Sequence, residues 1–140
     1  MTINQQELDQ YKDKLIPQGW MKAVVIGASE RKSQKGLDMF DIQLEIIEEY
    51  NEDPEEYENT LGYKIQGIAV YPDKDLQGDK ARATGQAFKA FQEAFNLGDG
   101  DITAQDLLNA EVMIRVVYET GQDGKNRPKI AFGGYRSVEA

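Results

Sequence analysis

The stretch LDMFDIQLEII, residues 37–47, sets Phe40, Ile42, Leu44 and Ile46 against Asp41, Gln43 and Glu45. Apolar and polar side chains alternate with a period of two, the period of a β-strand with one dry face and one wet face. A half-buried strand of this kind belongs in an antiparallel sheet covering a core on one side. Upstream, WMKAVVIGA (residues 20–28) is rich in Val, Ile and aromatics and reads as a first strand, parted from the second by the polar, basic loop SERKSQKG at 29–36. Downstream, YKIQGIAVY (residues 63–71) reads as a third strand stopped by Pro72. Glu111 to Glu119 alternates again, with Val112, Ile114, Val116 and Tyr118 opposed to Glu111, Arg115 and Glu119. A last strand spans 128–138 after the turn-rich loop TGQDGKNR at 120–127, and Gly133-Gly134 bends it.

Helical spacing occupies the remaining ground. From 80 to 97 the positions Ala83, Ala87, Phe88, Phe91, Ala94 and Phe95 recur three and four apart, an amphipathic helix with an aromatic stripe. Thr103 followed by Asp106 predicts a capped helical turn over 103–109. Asn4 to Leu15 predicts a short polar helix, ended by Pro17 and Gly19. Strand, strand, strand, helix, strand, strand is the element order of the oligonucleotide-binding (OB) fold. The expectation is therefore one mostly β domain over 1–140, a five-stranded OB barrel with a helix between strands three and four. A helical extension at 1–16 and an acidic loop at 48–59 complete it.

A chain of 140 residues can bury a real core, and 40% hydrophobic with 29% charged residues is a soluble globular composition. No apolar run approaches the roughly 20 residues that span a bilayer. The polar start does not read as a secretory signal, so no membrane association and a cytoplasmic location are expected. The chain contains neither cysteine nor histidine. Disulfides, thiolate metal sites, the commonest metal ligand and the commonest general base are thereby excluded. The expectation is a binding protein rather than an enzyme, with no cofactor and no metal. The net charge of −9 is unevenly spread. Nine of the 25 acids lie between Asp41 and Glu58 with no base among them, leaving 16 acids against 16 bases elsewhere.

On an OB barrel, ligands meet the face of strands two and three and the loops joining strands one to two and four to five. The first loop carries Arg31, Lys32 and Lys35, the second Lys125, Arg127 and Lys129. Brought to one side, they would track phosphates, while aromatics supply stacking platforms. Stacking candidates are Trp20, Tyr63, Tyr71, Tyr118 and Tyr135, with Lys22 and Lys64 as neighbouring cations. Phe40, Phe88, Phe91, Phe95 and Phe132 fall on apolar phases and are expected in the core. DGDITAQD at 99–106 resembles half of an EF-hand loop but has Phe95 and Leu97 where the first two carboxylates belong. GQDGKN at 121–126 lacks the spacing of a phosphate loop.

The segments LIPQGWMKAVVI (15–26), FDIQLEII (40–47), TGQAFKAFQEAFNL (84–97) and AFGGYRSVE (131–139) resemble, in kind and order, a family of small phage and prophage proteins known as a domain of unknown function. The likeness runs over nearly the whole chain. It implies a single-stranded DNA-binding OB protein of phage replication and recombination, acting in the host cytoplasm, with Trp20, Lys22 and the two basic loops as contact positions. The acidic insertion at 48–59 and the Phe-rich helix depart from the family pattern. The chain ends in RSVEA, without the acidic tail by which many single-strand binders recruit partners, and the 48–59 loop is a candidate substitute for docking a replication or recombination protein. A different expectation makes the 41–58 segment itself the working surface, of a DNA mimic, inhibitor or docking module. Carboxylate-based metal nuclease chemistry is disfavoured, because no pair of acids has the spacing of a site. Pairing of edge strands would allow a homodimer.

Overall fold

Alternation in β2 (Asp38–Ile46) does what its pattern demands: Phe40, Ile42, Leu44 and Ile46 are buried while Gln43 is exposed. The computed structural model describes residues 1–9, 16–49, 57–73, 78–98 and 100–138. In chain order the elements are α1 (Gln5–Asp9), β1 (Gly19–Lys32), β2, β3 (Lys64–Val70), α2 (Asp79–Ala94), α3 (Ala104–Leu107), β4 (Glu111–Thr120) and β5 (Asn126–Arg136). All four strand pairings are antiparallel, in the order β3-β2-β1-β4-β5.

The long first strand joins the two halves of the sheet. Its Gly19–Val24 portion pairs with β4, and its Ala23–Lys32 portion pairs with β2. A bulge between Val25 and Gly27 separates inward Val25 from inward Ala28 and leaves Ile26 exposed. Bulges bend and twist a strand, and this one lies where β1 passes from pairing with β4 to pairing with β2, antiparallel to both.

The sheet does not close into the expected barrel: β3 and β5 are the two edges of an open five-stranded sheet and exchange no ladder hydrogen bonds. Side chains cross the seam instead. Tyr135 of β5 reaches Gly67 on β3, and its hydroxyl donates a long hydrogen bond to the Ile68 carbonyl (3.4 Å). Helix α2 lies over the same region. Its Phe91 is fully buried, 6.1 Å from Phe40 of β2 and 5.1 Å from Tyr135 of β5, the latter edge to face. Phe88 meets Tyr71, just beyond β3, at 5.2 Å. The aromatic stripe of α2 thus fills the space that ladder bonds would have closed. Such edge-to-face pairs add about 0.5–1.5 kcal/mol each beyond the area they bury.

Shorter elements follow their local chemistry. Asn4 Oδ1 accepts from the Gln6 and Glu7 amides and starts α1, and residues 10–15 of the expected helix lie outside those described. The Thr103 amide donates to Asp106 Oδ2 (2.9 Å), as a capping box requires, and opens α3. Most of the acidic loop, residues 50–56, lies outside the described residues. Its flanks are tied down: buried Thr60 donates to the Glu48 carbonyl, and Asn59 Nδ2 donates to Glu49 Oε1 at 3.0 Å. No described helix is long and apolar enough to cross a membrane.

Two expectations need correction. The first strand runs further than composition suggests and the last begins and ends two residues earlier, so Arg31, Lys32, Arg127 and Lys129 stand on strand ends rather than in loops. Ladder pairing of the hairpin arms, such as Lys32 with Asp38 and Thr120 with Asn126, carries the strands through polar residues. Phe132, expected in the core, is 71% exposed, whereas Tyr135 is buried. Four residues of β5, Ala131 to Gly134, stand opposite Arg115 alone, and Gly133 adopts φ +68°. This bulge breaks the alternation and turns Phe132 outward.

Candidate nucleic-acid interface

The open seam leaves a groove of about 500 Å³ between β3 and β5, floored by α2. Gln66 and Ile68 of β3 line one wall, Lys129, Ile130 and Phe132 of β5 the other, with Thr84, Ala87 and Phe88 of α2 below. Arg31 from the end of β1 and Glu119 from the end of β4 close it at the rim. Arg31 and Phe88 also border a second depression of about 710 Å³, lined by Glu30, Lys32, Asp38, Phe40, Tyr71, Gln92 and Asp101.

Strand geometry explains the convergence. Arg31 belongs to the β1–β2 hairpin and Lys129 to the β4–β5 hairpin, and the bent β1 carries its hairpin round until both reach one groove. Apolar surface is exposed beside these cations: Ile68 at 51%, Tyr71 at 54% and Phe132 at 71%. Exposed rings next to cations are the components of a single-strand binding surface.

The cations are not idle. Arg31 Nε sits 2.9 Å from Asp41 Oδ2, Lys129 Nζ 3.4 Å from Glu119 Oε2, and Lys32 pairs with Asp38. Arg127 Nη2 lies 2.6 Å from Asp123 Oδ2, and this guanidinium holds the Asp123 carboxyl below its usual range. Lys35 and Lys125 make no ion pair among the described residues. Exposed pairs like these are weak and screened by salt, so a phosphate can displace the carboxylate. The pairs also fix the cations in place. Asp41 additionally accepts from Gln66 Nε2 (2.7 Å), which ties β1, β2 and β3 together on their outer face.

Of the thirteen candidates from sequence, Arg31, Lys129 and Tyr135 line the seam groove, Arg31, Lys32 and Tyr71 line the depression beside it, and Tyr118 packs partly against the core. Lys35, Lys125 and Arg127 stand exposed near the two hairpin turns. Tyr135 contributes from beneath, its ring buried against Phe91. Lys64 is exposed at the far end of β3, opposite Glu45, and Tyr63 packs partly against the core. Trp20 and Lys22 line neither hollow. They stand at the other end of β1, opposite Arg115 and Met113 of β4. Sequence reasoning missed Phe132 and Ile68; the Gly133-Gly134 pair was the available sign that the β5 alternation would slip.

Among the described residues no group of acids is arranged to hold a metal ion. No protein-family model matches the chain, and no curated protein matches it.

Proposed function

We propose that this chain is an OB-type domain that binds single-stranded DNA without sequence preference. The pairing order β3-β2-β1-β4-β5, with β3 and β5 facing across a seam, supports this, because the OB fold is itself a partly open five-stranded barrel. The observation that carries the proposal is the meeting of Arg31 and Lys129, from hairpins far apart in sequence, with exposed Phe132 in one groove. Phosphates bind the cations, and bases stack on Phe132 and Tyr71. In the setting implied by the phage-family resemblance, the protein covers strands exposed during replication and recombination, inside the host cytoplasm.

Fluorescence anisotropy of a labelled oligo-dT of about 16 nucleotides, the upper site size of one OB domain, tests this directly. Expected is binding at low salt that an unlabelled duplex does not compete away. No rise in anisotropy at low salt would end the proposal.

The nine acids between Asp41 and Glu58, with no base among them, favour one other reading, a DNA mimic, inhibitor or protein-docking module working through that segment. Deleting residues 48–59 separates the two: DNA binding survives under the first and partner binding is lost under the second.

A further inference from the structure

We infer a second contact face for the same strand, on the outer side of β1, β4 and β5, around Trp20, Arg115 and Arg136. The inference rests on the single-strand reading above and extends the path of the strand beyond the seam groove.

Directly opposed residues of an antiparallel ladder share a face. Trp20 stands opposite Arg115, and Lys22, Met113 and Arg136 form the adjacent row across the three strands. Their neighbours Met21, Ile114 and Tyr135 are buried, so this row and the Trp20 row point outward. The Arg136 guanidinium lies 4.2 Å over the Trp20 ring. Arg115 and Arg136 make no ion pair among the described residues, unlike Arg31 and Lys129 in the groove. On this face Lys22 is paired with Glu111, at 3.5 Å.

The face therefore offers two arginines that make no ion pair among the described residues, beside a partly exposed indole that one of them overlies. Neither guanidinium has to leave a carboxylate to take a phosphate, and the planar fork suits phosphate oxygens, while the groove, with exposed Phe132 and Tyr71 beside it, stays the first site for a short strand. The indole offers a base a stacking surface, as aromatics do in single-strand channels. Charge complementarity selects the occupant: the phosphates of a nucleic-acid strand, with a base against Trp20. Eleven residues of β1 separate Trp20 from Arg31, roughly 35 Å of extended chain, so one short oligonucleotide reaches one face only.

Trp20 is the sole tryptophan of the chain, so its emission reports on this face alone. Oligo-dT of about 5 and of about 16 nucleotides, both within the range one OB domain covers, are titrated into the unmodified protein. The longer oligonucleotide is expected to quench Trp20 and the shorter to bind more weakly with little quenching. The Arg115→Ala/Arg136→Ala variant is expected to bind the longer one about tenfold more weakly while its affinity for the shorter is unchanged. Binding of the longer one with Trp20 emission and variant affinity both unaltered overturns the second face and leaves the groove standing. Binding of neither oligonucleotide overturns both.

Discussion

The hydroxyl of Tyr135 on β5 lies over the bare backbone of Gly67 on β3. A β-carbon at position 67 would collide with that hydroxyl and come within 3.1 Å of Ile130 Cδ1 and 3.2 Å of Leu44 Cδ1. The two edge strands approach across the seam because one offers no side chain where the other offers a large ring. Gly67→Ala is therefore expected to destabilise the fold by about 1–3 kcal/mol, the usual cost of overpacking. The urea midpoint checks it. Tyr135→Leu in the same chain should recover part of the loss, a coupling visible in a double-mutant cycle.

Burial also sets the pH response of this residue. Desolvation raises the Tyr135 hydroxyl well above its ordinary value of 10.0, and, less strongly, burial raises that of Tyr118. A folded-state value above the unfolded one means that above pH 10 the unfolded chain has lost a proton which the folded chain keeps. Stability contributed by the neutral hydroxyl is thus complete below about pH 10 and falls as pH rises beyond it. Thermal melts between pH 8 and pH 11 should show this decline, and Tyr135→Phe should flatten it. An equal decline in the variant would assign it elsewhere.

Much of this architecture was legible in the residues. The alternation of Phe40, Ile42, Leu44 and Ile46 against Asp41, Gln43 and Glu45 reports a face, and so does the stripe Phe88, Phe91, Phe95 on α2. Pattern carries a period and not a break in it. Phe132 and Tyr135 exchanged places because the bulge opposite Arg115 depends on tertiary pairing. For the same reason the ion pairs were invisible: Asp41 meets Arg31 only once the β1–β2 register is fixed. Trp20 and Lys22 are close in sequence to the first basic segment but stand at the other end of a 14-residue strand.

Two phenylalanines should separate stability from binding. Phe91→Ala removes a fully buried ring and is expected to cost about 3–5 kcal/mol. Phe132→Ala removes an exposed one and should change stability by less than about 0.5 kcal/mol. If Phe132 stacks on a base, the same change weakens oligo-dT binding by about 1–3 kcal/mol. Urea unfolding and anisotropy on both variants check the pair of outcomes.

Removing the carboxylates that compete for the groove cations should strengthen binding. Glu119→Gln frees Lys129, and Asp41→Asn frees Arg31. Each exposed pair is worth about 0–1 kcal/mol, so a gain of up to about fivefold in affinity at low salt is expected, fading as salt screens the pairs. Anisotropy titrations at two salt concentrations check it, and weaker binding in either variant would count against phosphate contact in the groove.

The central claim, that groove cations hold the phosphates of a single strand, is tested most directly by the salt dependence of oligo-dT affinity. The unmodified protein and the Arg31→Ala/Lys129→Ala variant are titrated over the same salt series. Each phosphate contact on a single strand contributes about 0.7 to the slope of log affinity against log salt, so the variant should lose about 1.4 from it. Two identical slopes, or no salt dependence in the unmodified protein, would contradict the account.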